Sequence, residues 1–412
     1  MDKKHVLIIG GGPAGMMAAI TSRAEGYSVT LLEKNRALGK KLLLTGNGRC
    51  NLTNTSGLDA FLEKFGKNGV FLRDAFKFFF NTELIGFFEE RGLNCKTEEQ
   101  GKVFPARDKA ESVLRVLVKE LINSNVNILY DADAASILTD QGRVNGARLR
   151  NGKTILSGRV ILASGGASYP STGSSGDGFK MAALTGHTIT PLRPGLVPLT
   201  VKENYPGLLM GLSLRNAGIK ISTGKRVFPT RTGDIMFTSN GLSGPLALSI
   251  SGAAADLLAE GKSVNLSIDQ FPGMSAETIV SMLTDIFSSN PSKNVKNSLK
   301  NFIPQRLGDL FLEIARVDKN KTANQVTKKE RFTLASLCKD FRLAVSGTAP
   351  VEEAMITRGG VSLKEVNPRT MASRLVKGLY FAGEILDIDG DTGGFNLQAA
   401  FSTGRLAGML KE

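Results

Sequence analysis

The chain lacks tryptophan altogether and has only two histidines, His5 and His187, and three cysteines, Cys50, Cys95 and Cys338, in 412 residues. So few imidazoles disfavour chemistry built on a catalytic histidine, and His5 reads as a strand-edge residue. An odd number of cysteines without C-x-x-C spacing indicates neither a disulfide framework nor a zinc site, so no metal is expected. That usage suits a reducing compartment, and a cytoplasmic protein is expected. No run approaches the ~20 consecutive apolar residues that a membrane-spanning helix needs, so no membrane contact is expected. Lys3-Lys4-His5-Val6-Leu7-Ile8-Ile9 has the charge order of a short signal peptide, but its apolar part is brief and enters a glycine loop, which makes it part of the fold.

What is present is concentrated at the start. Val6-Leu7-Ile8-Ile9 reads as a buried strand, Gly10-Gly11-Gly12-Pro13-Ala14-Gly15 as a tight turn, Met16 to Glu25 as a helix, and Val29-Thr30-Leu31-Leu32 as a second buried strand. This is a βαβ unit opening on G-x-G-x-x-G. In that spacing Gly10 permits the sharp turn, Gly12 lets a pyrophosphate approach the backbone, and Gly15 lets the helix pack against the strand. The free N–H groups of the helix start then bind the anion. Glu33 closes the second strand, 18 residues after Gly15, where a carboxylate accepts both ribose hydroxyls of an adenosine and repels a 2′-phosphate. A bound dinucleotide is expected.

The remaining chain is long enough for two or three domains. Lys41 and Arg49 lie in a glycine-rich, donor-rich stretch, Gly39 to Asn54, which reads as a loop wrapping the same ligand. Asp74 to Arg91 has Phe at helical spacing and reads as one core-facing helix, followed by an amphipathic helix from Lys109 to Asn123. Val126 to Tyr130, Ala134 to Leu138, Val144 to Leu149 and Thr154 to Leu156 read as strands, with turns at Gly142 and Asn151-Gly152. Arg159 to Leu162 leads into Ala163-Ser164-Gly165-Gly166, and Phe179 to Thr185 reads as helix. Residues 195–269 are β-rich with a helix from Gly244-Pro245 to Leu258, and residues 275–342 turn helical. The grammar then returns to α/β: a strand Leu379 to Ala382 ending in Gly383-Glu384, a glycine- and acid-rich loop, and a helix from Leu397 to Leu410. No second G-x-G-x-x-G is seen.

Charge is uneven. Lys and Arg number 52 against 38 Asp and Glu, a net +14, and twelve of those cations against five acids fall between Lys293 and Arg342. Lys319, Lys321, Lys328, Lys329 and Arg331 are the densest segment. A charge run is ordinarily a solvated face, but its concentration in one segment also suits a polyanion such as RNA.

The set Gly46-Asn47-Gly48-Arg49-Cys50-Asn51, Ala163-Ser164-Gly165-Gly166, and Gly383-Glu384 with Gly393-Gly394-Phe395-Asn396-Leu397-Gln398 closely resembles a bacterial family of FAD-dependent oxidoreductases. That family includes the ribosomal-RNA dihydrouridine synthase, and relatives are described as aminoacetone oxidase or bile-acid enone reductase. The resemblance spans nearly the whole chain. It implies an α/β fold: a two-dinucleotide-binding-type FAD domain, residues 1–190 and 343–412, with an inserted β-barrel, 191–272, and a basic helical region, 273–342. It also implies FAD contacts at Gly10, Gly12, Ala14 and Gly15 for the pyrophosphate and at Glu33, with Lys34 beside it, for the ribose. Lys41 and Gly46, Asn47, Gly48 and Arg49 would run along the ribityl and flavin, Gly165 sit on the return strand, and Gly383, Glu384, Gly394 and Asn396 stand near the isoalloxazine. NAD(P)H is the implied reductant. With no second nucleotide fold it would visit and leave before the oxidant binds.

Three functions follow. The first is reduction of an activated C=C, with uridine in large-subunit ribosomal RNA as substrate, Cys50 as the candidate acid and the basic segment holding the RNA. The second is a small-molecule oxidase or reductase acting on an amine or unsaturated ketone, which explains the flavin but not the charge. The third is a non-catalytic, flavin-bearing RNA-binding protein.

Overall fold

The structure is a computed structural model that describes residues 4–411. The chain forms two compact units, residues up to 195 with those from 350 onward, and residues 196–349.

The first unit is built on a five-stranded parallel sheet. Its strands are β1 (His5–Ile9), β2 (Ser28–Leu32), β3 (Asn127–Leu129), β4 (Val160–Leu162) and β5 (Leu379–Phe381), in the order β5-β4-β1-β2-β3. All four pairings are parallel, and Leu7, Leu31, Ile161 and Phe381 are fully buried, as covered parallel strands require. Helix α1 (Pro13–Ala24) makes the crossover from β1 to β2; Pro13 stands at its first position, where a missing N–H costs nothing. Helices α2 (Asp177–Leu184) and α3 (Phe395–Gly408) follow β4 and β5. Small residues let α3 approach α1 closely: a Cβ on Gly404 would stand 2.3 Å from the Ala14 carbonyl oxygen.

An antiparallel sheet of Ala134–Asp140, Arg143–Leu149 and Thr154–Leu156 also belongs to this unit, as does a ribbon of Ile189–Gly195 against Ile356–Val361, along which the chain leaves and returns. One expected helix is two. Arg73–Phe78 and Asn81–Glu89 are separated by extended backbone at Phe79 and Phe80, and the Glu83 carboxylate accepts the Phe80 N–H at 3.0 Å. The phenylalanines kept a helical spacing across that break, and the capping acid three residues on is what restarts the helix.

The second unit holds a closed antiparallel barrel. Its strands run Ser213–Thr223, Arg231–Phe237, Gly241–Ser243, Leu199–Val201, Phe341–Thr348 and Val264–Asp269, which pairs back onto the first. Closure removes the exposed edges. Helices Pro245–Ala259, Ala276–Ser289, Gln305–Ile314 and Lys328–Lys339 share one apolar core with it, in which Ile219, Leu266 and Leu343 meet Leu283, Phe311 and Leu334. Barrel and helical segments, separated at 272 in the sequence reading, are therefore one body here. Phe341–Thr348 is its barrel strand: Phe341, Leu343 and Val345 point inward at a period of two.

Candidate active site

The carboxyl ends of β1, β2, β4 and β5 open on one cleft, enclosing about 1420 Å³ with its solvent-open mouth included. The turn after β1 forms its floor. Gly10 has φ +110° and no room for a side chain, since a Cβ would lie 2.4 Å from the Ala163 carbonyl oxygen. Gly15 is tighter still: a Cβ there would lie 1.9 Å from the Gly10 carbonyl oxygen, so the helix packs directly against the turn. Gly12 is the opposite case: nothing lies within 4 Å of its missing Cβ, and it faces the open cleft at the start of α1. Ala14 also lines it.

Glu33, just past β2, is buried and lines the cleft. Its Oε2 accepts the Gly11 N–H at 3.0 Å, and its Oε1 accepts the Asn35 backbone N–H at 2.8 Å and the Asn35 Nδ2 at 2.7 Å. The carboxylate is thus fixed in place with lone pairs left over. Lys34 reaches across to Ser175 at 2.5 Å and Asp177 at 3.2 Å. The Ser175 hydroxyl, then the Lys34 ammonium, hold the Asp177 carboxyl below its ordinary range.

The far end of the cleft is tied by an ion pair. Lys41 Nζ lies 2.8 Å from Glu384 Oε2 and 2.6 Å from Ser168 Oγ, and Glu384 Oε1 accepts the Thr357 N–H at 2.7 Å. Gly383, with φ +77°, donates its N–H to Thr403 Oγ1 at 2.9 Å. Gly165 and Asn396 complete the lining, Asn396 holding the preceding loop through Gly390 in both directions at 2.8 Å.

Gly15 lies behind the turn and does not line the cleft, and neither do five other sequence-derived positions. Gly46, Asn47 and Gly48 have φ of +58°, +56° and +82° and coil the chain back on itself, with Cys50 N–H returning to the Thr45 oxygen at 2.9 Å. Arg49 turns away to two carboxylates, Asp108 at 2.7 Å and Glu98, over the Phe104 ring at 4.0 Å. The Glu98 and Asp108 side chains hold its pKa above the ordinary value. Gly394 packs under the Thr53 carbonyl as the N-cap of α3, behind the cleft wall. Cys50 does not line the cleft either. It is fully buried in the left-handed region, φ +62°, and burial pushes its thiol up to about 12 against the pull of the Thr45 side chain. Thr45 does line the cleft.

Several lining residues carried no sequence signal of their own. Gly11 has no space for a Cβ, which would meet Leu38 at 2.3 Å. Thr403 arrives from α3, and Ser168 and Thr357, which hold Lys41 and Glu384 from outside the lining, come from the loop after β4 and from the ribbon, where nothing local marks them. Ser164 stood inside the Ala-Ser-Gly-Gly run; its Oγ is buried in the cleft wall without a hydrogen-bond partner.

These features fit a dinucleotide cofactor. A glycine cradle that a Cβ would fill meets a helix start with free N–H donors, a fixed carboxylate acceptor stands one strand away, and an orphaned hydroxyl lies between. Apolar walls from Ile9, Leu42, Met181 and Leu397 suit a flat ring. Fold and cleft together define an α/β dinucleotide-binding protein with one dinucleotide fold at the switch of a parallel sheet.

Residues 4–410 match the family described as "HI0933-like protein Rossmann domain", and the chain belongs to that family. It is 36% identical over 404 residues to the 3-dehydro-bile acid delta(4,6)-reductase of Clostridium scindens, covering 97% of each chain. It is 31% identical over 412 residues to the ribosomal RNA dihydrouridine synthase of Escherichia coli, covering 98% of this chain and 96% of that one. Among solved structures, the 3-ketosteroid-delta4-(5alpha)-dehydrogenase of Rhodococcus jostii shares the fold with a TM-score of 0.53 at 16% identity, covering 99% of this chain and 96% of that one. The chain is therefore a flavin oxidoreductase of the FAD-binding Rossmann type. No helix among the described residues is long and apolar enough to cross a membrane.

Proposed function

We propose that this protein is an FAD-dependent reductase that draws on NAD(P)H and saturates a C=C bond conjugated to a carbonyl, with uridine in large-subunit ribosomal RNA as its substrate. Relatives named for a delta(4,6) reduction and for dihydrouridine synthesis support the reaction type. One observation carries the choice of RNA. Residues 196–349 hold 19 Lys and Arg against 12 Asp and Glu, a net +7, which is half the excess of the whole chain. A polyanionic substrate accounts for that excess, and a small neutral one leaves it unexplained.

In this reading Gly10, Gly12, Ala14 and Gly15 take the FAD pyrophosphate and Glu33 the adenosine ribose. Lys41, Gly165, Gly383, Glu384 and Asn396 hold the flavin half, and Ser164 adds a hydroxyl. Gly46, Asn47, Gly48, Arg49 and Gly394 shape the wall from behind. FAD, when bound and reduced by NAD(P)H, would supply the hydride for C6 of the pyrimidine. The chain must exclude water, admit a base turned out of its stack, and see that a proton reaches C5. Cys50 keeps its proton at every physiological pH but is sealed behind Thr45, so we place the proton path at the cleft-lining groups Lys41 and Thr45 instead. NAD(P)H and substrate take turns at one face, giving ping-pong turnover.

The test is anaerobic reoxidation of the NAD(P)H-reduced enzyme by ribosomal RNA lacking dihydrouridine. Flavin reoxidation faster than in buffer, with dihydrouridine formed, is expected. Reoxidation only by a steroid-type enone would overturn the RNA assignment in favour of the second reading, which the 36% relative favours.

A further inference from the structure

The helix Lys328–Lys339 carries a surface that the cleft does not use. Four cations lie on it, and the fold spends two of them: Arg331 Nη1 donates to the Val326 carbonyl at 2.8 Å, and Lys339 pairs with Asp269 at 2.6 Å. The one acid on the helix, Glu330, is spent as well. Its carboxylate takes Lys321 at 2.9 Å and the Thr327 N–H at 2.7 Å, which caps the helix start. Lys328 and Lys329 are exposed and make no ion pair among the described residues. Phe332, three and four residues on, therefore shares their face, with side chains about 5–6 Å apart at Cβ. It is 58% exposed, whereas every other phenylalanine of the 22 is buried or half-buried except Phe78 at 38%. The opposite face, Leu334, Ala335 and Cys338, is the one that enters the core.

A bare ring flanked by two uncompensated ammonium groups is a stacking platform with phosphate anchors. A duplex offers phosphates but keeps its base faces covered. An unpaired strand offers both, and aromatic stacking then adds to the electrostatic attraction without regard to sequence. We propose that Phe332 stacks on an unpaired base of an RNA strand while Lys328 and Lys329 hold its neighbouring phosphates, an inference that rests on the RNA reading above. It makes this helix a secondary grip that holds a single-stranded stretch of the substrate RNA.

The experiment is fluorescence anisotropy of labelled oligo-uridine and of a hairpin duplex of equal charge, titrated with the FAD-loaded full chain across a range of salt. Variants are Phe332→Ala, Phe332→Tyr and the pair Lys328→Gln with Lys329→Gln, each checked for unchanged FAD absorbance and melting temperature. Phe332→Ala is expected to weaken oligo-uridine binding about tenfold with its salt slope unchanged, to leave duplex binding alone, and Phe332→Tyr to restore the loss. The lysine pair is expected to reduce the salt slope by about 1.4 on the single strand. Oligo-uridine binding unchanged in Phe332→Ala, with the parent binding well, overturns this inference and leaves the RNA reading standing. A parent that binds neither RNA overturns both. Loss of self-association in Phe332→Ala at unchanged RNA affinity also overturns it, the face then being a protein contact.

Discussion

Two glycine-rich loops of the first unit do opposite things. In the turn from Gly10 to Gly15, glycine removes side chains where backbone meets backbone, and at Gly12 it leaves empty space facing the cleft. In the stretch from Gly46 to Arg49, glycine supplies left-handed backbone that curls the chain onto itself and away from the cleft. The first follows a buried strand directly and opens a helix; the second does neither. Glycine content alone does not identify a ligand loop, whereas a glycine at a strand-to-helix junction restricts the geometry to one arrangement.

Substitutions at matched positions break or sharpen that contrast. Gly15→Ala drives a methyl to 1.9 Å from a carbonyl oxygen that cannot move without the strand, so a loss of about 4 kcal/mol or more is expected, read as failure to purify folded holoenzyme. Gly12→Ala has room and an ordinary φ of −82°, so urea unfolding of the apoprotein should stay within about 0.5 kcal/mol of the parent. Its FAD affinity by fluorescence titration should nevertheless fall at least about tenfold, the methyl standing where the pyrophosphate must come. Gly48→Ala pays only for left-handed backbone, since the nearest atom to its Cβ would be 3.9 Å away; about 1–2 kcal/mol of stability should go while FAD content holds. A drop in FAD content there would erase the distinction between the loops.

Acid lability comes from elsewhere in the same unit. His187 is buried against the Phe381 ring, between Thr185 Oγ1 at 2.9 Å and Ser373 Oγ at 2.7 Å. Burial holds its pKa below the ordinary value of about 6.5, against an upward pull from Glu365. The unfolded chain takes up the proton first on acidification, so this contribution is complete above about pH 6.5 and is lost as pH falls through the lower folded value, at up to about 1.4 kcal/mol per pH unit. His187→Gln should flatten the pH dependence of urea unfolding in that window, and an unaltered slope would contradict the assignment. The smallest effect is expected at Cys50: Cys50→Ala should leave product formation within about twofold, since the thiol faces no substrate, and a hundredfold loss would return it to the mechanism.

The first unit was legible because its signals are local. Buried strands, the G-x-G-x-x-G junction and the acid at Glu33 lie within one βαβ unit, and the expected α/β fold with its inserted barrel is the one observed. The far end of the cleft was only half legible. Lys41 and Glu384 are 343 residues apart, and their pairing, with Ser168 and Thr357, depends on tertiary structure that no local pattern encodes. Arg49 was misleading for the same reason: its partners Glu98 and Asp108 lie on a distant hairpin and loop, and a cation beside glycines looks the same whether it meets a phosphate or a carboxylate. In the second unit, composition showed the excess charge, but only the structure separates Lys321, consumed by Glu330, from Lys328 and Lys329.

Nucleoside mass spectrometry of ribosomal RNA from cells with and without the gene tests the central claim most directly. The account predicts that dihydrouridine disappears from the large-subunit RNA on deletion and returns with the intact gene but not with Gly12→Ala. Dihydrouridine unchanged by the deletion would contradict it.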